Sequence, residues 1–347
     1  MPEIRKDKNM KNRKWMIYLV SAVLLCGCGK KEEKVPIASA EPSVIPAEST
    51  GPAVQTPDTL APESPMPEPE TPEPEPELIT LEEFRKSNEA VAGTNLFGVH
   101  ILELNGEDKH IYGQLYLPTE DKESYPLVII SHGIQGSYYD LIDQAGKCVD
   151  AGLAAYIFDY CGGSTYSRSS GDITDMSVLT ECDDLEFVLN ELWQYGFMDR
   201  GNTYLMGESQ GGMVSALLAA ERPQDIAGMV LLYPAFNIPD MAREVYVDGQ
   251  IPEDFRAFNV PVGHRYFTDV LYMDAYEAIR GYVGNVLIIH GSDDQIVPLS
   301  YSQLAMDVYT NAELEVIPGA GHGFQGDQRA QTFERAAAFI REQADRQ

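Results

Sequence analysis

Gly207-Glu208-Ser209-Gln210-Gly211 sets a serine between two glycines, after an apolar stretch at 203–206 and before a helical stretch that Pro223 stops. A strand-to-helix turn of this kind lifts the hydroxyl clear of the backbone, and small flanking residues leave room for the elements packed around it. A serine hydroxyl is a weak nucleophile until a base takes its proton, and the base works best when a carboxylate orients it. A serine opening a helix can also be a simple N-cap, so its partners decide the reading. In the fold class that carries its nucleophile on such an elbow, the acid and then the histidine follow in chain order. Of the six histidines, only His322 lies beyond the loop that can supply the acid. It stands in Pro318-Gly319-Ala320-Gly321-His322-Gly323-Phe324, where glycines let the imidazole reach over the C-terminal edge of a parallel sheet. The loop His290-Gly291-Ser292-Asp293-Asp294-Gln295-Ile296-Val297-Pro298 supplies the acid and offers two carboxylates side by side. The amide of Gln210, just after the serine, is one of the two donors that an oxyanion requires. Such a triad needs no metal and no cofactor.

The surrounding pattern predicts the elements that would hold these groups. Residues 98–103 and 109–117 read as paired strands joined through Asn105-Gly106, a hairpin signal. Residues 127–131 form a continuous apolar run, as a parallel strand buried on both faces requires. Further strands are predicted at 154–159, 203–206, 227–233, 286–290 and 314–317, with helices at 140–151, 177–195, from the serine to about Arg222, and 330–341. This alternation of strands and helices implies a mostly parallel central sheet with helices on both faces.

At this point the chain resembles the α/β-hydrolase superfamily, and within it the cinnamoyl/feruloyl esterase-like or dienelactone-hydrolase-like branch. The resemblance rests on residues 126–136 with Ser131-His132-Gly133, on Phe158-Asp159-Tyr160-Cys161-Gly162-Gly163-Ser164, on the serine motif and on the two loops quoted above. It covers about residues 97–340. It implies that Asp294, four residues after His290, is the acid and that Asp293 is a bystander. It also implies that the Ile134 amide completes the oxyanion hole. His132 and His290 read as structural histidines. The resemblance further matches residues 236–284, rich in aromatics, to a cap insertion. Phe236, Tyr246, Phe255, Phe258, Tyr266, Phe267, Tyr272 and Tyr276 there either line an apolar acyl or aryl pocket or simply pack on the sheet. Glu208 departs from the histidine common at that position in the esterase branch.

The N-terminal stretch before about residue 78 does not read as core. Basic residues Arg5 to Lys14 precede an apolar run at 15–25 and then Cys26-Gly27-Cys28-Gly29, the pattern of a short secretory signal. Leu25 to Cys28 resembles the lipobox of bacterial lipoproteins, which would make residues 1–28 a signal peptide and Cys28 the lipid-bearing first mature residue. Residues 35–78 hold twelve prolines and nine acidic residues without a basic one; residues 29–78 therefore read as an extended linker that could reach on the order of 150 Å. The folded domain is 79–347. The chain of 347 residues carries a formal charge of −29, most of it on that domain, which disfavours nucleic acid as a partner. Cys148, Cys161 and Cys182 read as small buried thiols.

The expected function is an extracytoplasmic, lipid-anchored serine hydrolase that cleaves small-molecule carboxylic esters through an acyl-enzyme. One alternative is a serine peptidase of the prolyl oligopeptidase-like type, which usually carries an aromatic residue before the serine and a large N-terminal propeller. Another is a non-catalytic surface-binding lipoprotein, although such a chain should have lost a triad member.

Overall fold

The computed structural model describes residues 77–88, 98–246, 250–251, 256–257 and 260–346. The signal segment with Cys28 and almost all of the linker lie outside them. The described chain begins by tying itself down: the Ile79 amide donates to the Gln194 carbonyl, and the Gly196 amide donates back to the Ile79 carbonyl. Helix α1 (Leu81–Ser87) follows, started by a capping box in which Thr80 and Glu83 exchange side chain and backbone bonds.

Next come β1 (Gly98–Ile101), β2 (Leu104–Asn105), β3 (His110–Ile111) and β4 (Gly113–Leu117). The predicted hairpin is there, but as two antiparallel ladders, β1 with β4 and β2 with β3, in one register. Between them, Tyr156 Oη donates to the Leu102 carbonyl and the Tyr112 amide donates to Ser169 Oγ. Groups from elsewhere thus interrupt the ladder.

The rest alternates: β5 (Tyr125–Ser131), a 3₁₀ turn (Tyr138–Leu141), α2 (Ile142–Asp150), β6 (Ala154–Phe158), α3 (Val178–Leu192), β7 (Met198–Glu208), α4 (Gln210–Glu221) and β8 (Gly228–Leu232). After β8 the chain makes α5 (Ile238–Val245), α6 (Arg265–Thr268) and α7 (Ala275–Ile279), then β9 (Asn285–Gly291), α8 (Leu299–Met306), β10 (Ala312–Ile317) and α9 (Gly326–Ala344). Among the described residues, eight strands form one sheet in the order β1-β4-β6-β5-β7-β8-β9-β10. The pairings from β6 to β10 are parallel, and the two pairings made by β4 are antiparallel.

Alternation along β5 divides the core. Leu127 and Ile129 face a cluster that takes Leu185 of α3 and Met213 of α4. Val128 and Ile130 face the other cluster, with Ala145 of α2 and Phe333 of α9. Helices therefore cover both faces of the sheet. Among the described residues no helix is long and apolar enough to cross a membrane. Cys148, Cys161 and Cys182 are free thiols, and burial pushes Cys148 up to about 12 and Cys161 up to about 11, away from reactive thiolates.

Candidate active site

The parallel strands all end at one edge of the sheet, and the loops leaving them carry the predicted site. Ser209 sits between β7 and α4 with φ 53°, a conformation uncommon for a residue with a side chain. Close packing enforces it. A Cβ on Gly207 would collide with the Gly211 carbonyl, and one on Gly211 would collide with the carbonyls of Ser131 and His132. The Ser209 amide donates to the Leu232 carbonyl at 2.9 Å, and the Ala235 amide donates to the Ser209 carbonyl at 2.9 Å. Strand β8 and the loop after it thus clamp the turn on its other side.

His322 lies in the loop after β10. Its Nδ1 is 2.8 Å from Asp294 Oδ2 and its Nε2 is 2.9 Å from Ser209 Oγ. A carboxylate can only accept, so Nδ1 carries the proton and Nε2 is free to accept from the serine hydroxyl. Asp294 Oδ1 accepts from the amides of Ile296 and Val297, each at 2.9 Å, and Oδ2 is 3.3 Å from His290 Nε2. Burial alone would raise this carboxyl, but the hydrogen bonds from His290, His322 and the Val297 amide outweigh it and hold Asp294 well below the usual carboxylate range. Asp293 is exposed and its Oδ1 accepts from Ser292 Oγ at 2.7 Å. Of the two adjacent acids, the structure brings Asp294 to His322.

The two histidines read as structural have internal partners. His132 Nδ1 lies 2.7 Å from the Gly133 carbonyl oxygen, and burial keeps its ring from charging. His290 bridges Ser302 Oγ at 2.7 Å and the Val297 carbonyl at 2.8 Å; it also steadies Asp294, a role its sequence position did not suggest.

Gln210 opens α4, where first-turn amides have no partner within the helix. Ile134 lies in the turn after β5, and its amide has no hydrogen-bond partner among the described residues. Both therefore stand at the serine with donors to give. Gly133 lies so close to the nucleophile that a Cβ would approach Ser209 Cβ to 3.0 Å.

Ser209 and His322 open into a cleft of about 370 Å³ walled by Ile134, Glu208, Tyr233, Ile296 and Arg329 among others. Glu208 Oε2 accepts from Tyr233 Oη at 2.9 Å and from Gln144 Nε2 at 3.2 Å. Burial raises its pKa, an effect the Tyr233 hydrogen bond opposes. The Tyr233 ring stands edge-on to His322 at 4.8 Å between centroids, so Glu208 steadies the histidine's neighbour. None of this pairing has a sequence signal, because Tyr233 reads only as the last residue of a strand.

The described aromatics at 236–284 do not line this cleft. Phe236, Tyr266 and Phe267 are buried in the core, and Tyr272 points into solvent at 88 % exposure. Tyr276 packs partly buried against that core, and its Oη donates to the Tyr301 carbonyl. Phe255 and Phe258 lie outside the described residues. For Phe236, Tyr266, Phe267 and Tyr276, packing is the reading that holds.

Comparison with known proteins agrees with this fold. Est1E from Butyrivibrio proteoclasticus, a structure with ferulic acid bound, superposes with a TM-score of 0.64 at 24 % identity over 70 % of this chain and 99 % of that one. That likeness establishes the α/β-hydrolase fold. Human monoglyceride lipase is 28 % identical over 137 residues, 38 % of this chain and 41 % of the lipase. The acylamino-acid-releasing enzyme of Sus scrofa is 26 % identical over 129 residues, 35 % of this chain and 17 % of that enzyme. The chain thus spans less than half the length of these curated relatives. The model of the prolyl oligopeptidase family, Peptidase S9, matches residues 143–347, which take in the serine motif, the acid loop and the histidine loop. The chain belongs to the prolyl oligopeptidase family.

Proposed function

We propose that the chain is a serine hydrolase that cleaves carboxylic esters through an acyl-enzyme on Ser209. The observation that carries this reading is the continuous hydrogen-bonded line Asp294–His322–Ser209 at the mouth of a cleft. In the first half-reaction His322 Nε2 takes the hydroxyl proton as Ser209 Oγ attacks the ester carbonyl. Charge moves to the carbonyl oxygen, which the amides of Gln210 and Ile134 bind. The intermediate collapses, and the alcohol leaves with the proton held on His322. Water then repeats the sequence on the acyl-enzyme, while Asp294 keeps the imidazole in its working tautomer. Names among the similar proteins, a lipase and a structure with ferulic acid bound, favour an ester as the substrate.

The family match favours a second reading, hydrolysis of peptide bonds by the same machinery. Glu208 stands where such peptidases usually carry an aromatic residue. A panel of p-nitrophenyl and feruloyl esters run beside peptidyl p-nitroanilides separates the two. Ester turnover without anilide cleavage is expected; preferential cleavage of the anilides would make the chain a peptidase. For location, the Leu25–Cys28 pattern supports export and attachment through a lipid on Cys28, with the domain facing outside the cytoplasm on its acidic linker.

A further inference from the structure

The side chain of Gln210, next to the nucleophile, is buried rather than turned to the cleft, at 1 % exposure. Its Nε2 donates to Glu181 Oε2 at 2.7 Å and lies 3.4 Å from Met176 Sδ, while its Oε1 accepts from Tyr266 Oη at 2.8 Å. Glu181 comes from α3 and Tyr266 from α6, and both are fully buried. The other carboxyl oxygen of Glu181 is buried without a hydrogen-bond partner among the described residues. An acid in such surroundings stays neutral, because burial raises it well above the usual carboxylate range. A neutral carboxyl with one orphaned oxygen is a poor way to fill a core. What it supplies, with the Tyr266 hydroxyl opposite, is direction: the Gln210 amide group is held at both ends.

Fixing that side chain constrains the backbone of residue 210, whose N–H is one oxyanion donor. The second donor is tied to the same spot. The Gln135 amide, next to Ile134, donates to the Gly163 carbonyl at 3.2 Å, and a Cβ on Gly163 would stand 3.4 Å from Glu181 Oε1. Segment 260–279 is seated on the turn leading into α3 by further contacts: Ser177 Oγ donates to Asp269 Oδ2 at 2.6 Å, and Gly263 leaves no room for a Cβ against the Thr174 carbonyl.

We propose that Glu181 and Tyr266 are positioning residues for the oxyanion hole: they hold the Gln210 amide through its side chain, so the seating of α6 sets the geometry that binds the tetrahedral intermediate. The cap residues described here act on the reaction through this contact and not by touching substrate. The proposal rests on reading Ser209 as the nucleophile and Gln210 N–H as an oxyanion donor.

The test compares wild type, Ser209→Ala, Tyr266→Phe, Glu181→Met and Glu181→Gln on p-nitrophenyl acetate, with thermal midpoints for each. Inhibition by a trifluoromethyl ketone, whose adduct places an oxyanion in the hole, is measured alongside. Tyr266→Phe removes one oxygen, and Glu181→Met removes the acceptor at similar volume. Each should lower kcat and ketone affinity together by roughly ten- to a hundred-fold, since a displaced donor forfeits transition-state binding, while KM changes less than about two-fold. Glu181→Gln mimics the neutral acid and should restore kcat to within about three-fold. Should Glu181→Met fail to fold, Tyr266→Phe decides alone. If wild type shows no Ser209-dependent turnover, the functional reading fails and takes this inference with it. If wild type turns over and Tyr266→Phe keeps kcat and ketone affinity while losing only thermal stability, the residues are structural and the inference is overturned.

Discussion

Replacing Asp294 with Asn tests the acid by tautomer instead of by deletion. The Asn carbonyl can keep the two amides of Ile296 and Val297, so its NH₂ falls where Oδ2 now accepts from His322 Nδ1 at 2.8 Å. Two donors then face each other. The imidazole answers by moving its proton to Nε2, which presents a donor to Ser209 Oγ and can no longer accept the hydroxyl proton. On the precedent of protease triads, the wrong tautomer lowers kcat about 10⁴-fold, which is about 5 kcal/mol of transition-state stabilisation. Fold stability should suffer far less, because most of the loop's bonds survive and the lost ones are worth about 1–3 kcal/mol. Asp293→Asn is the internal control. Its carboxylate is exposed and, among the described residues, accepts only from Ser292, so kcat should stay within about three-fold. Combining Ser209→Ala with Asp294→Asn should be no worse than Ser209→Ala alone, since triad members act as a unit. Steady-state kcat on p-nitrophenyl acetate, with a thermal midpoint for each variant, reads all of this. A dead Asp293→Asn beside a near-normal Asp294→Asn would refute the assignment and the tautomer reasoning with it.

Three further outcomes follow from particular contacts. Gly211→Ala drives a methyl into the carbonyls of Ser131 and His132, and should cost about 3 kcal/mol, a drop of roughly 6–12 °C in thermal midpoint; an unchanged midpoint would mean the elbow has slack. Glu181 is neutral in the fold because burial raises its pKa well above the usual value, whereas the unfolded carboxyl ionises above about 4.3. The fold therefore binds more protons than the unfolded chain above that value, and stability falls as pH rises toward the folded pKa. Glu181→Gln lacks this penalty, so its midpoint relative to wild type should improve from about pH 5 to about pH 8; a difference that shrinks with pH would show that Glu181 is charged. Cys28→Ala should move the protein from the membrane fraction to the soluble one, and unchanged detergent-dependent partitioning would contradict the lipid anchor.

The reach of sequence reading here follows burial and range. β5, β6 and β8 were legible because a parallel strand covered on both faces must be apolar without interruption. β7 was foreseen only from Thr203, since Asp199 to Asn202 in its first half are polar or glycine and the strand joins β5 across an irregularity at Pro126/Leu127. Ser209 and His322 were legible because glycines mark both loops, and the structure brings them together as the chain order required. Asp294 over Asp293 came from resemblance alone; the residues themselves offered both. What stayed hidden are contacts between distant polar side chains with no periodic trace, such as Glu181 to Gln210, 29 residues apart, and Gln210 to Tyr266, 56 apart. The cap aromatics were ambiguous for another reason. Packing on a sheet and lining a pocket select the same side chains.

The central claim is that Ser209 is an activated nucleophile, and reaction of the purified protein with a fluorophosphonate, followed by peptide mass mapping, tests it most directly. The account predicts one equivalent of label on Ser209, lost in Ser209→Ala and strongly slowed in Asp294→Asn, with ester turnover falling in step with labelling. Label on another residue, no label at all, or ester turnover that survives Ser209→Ala would contradict it.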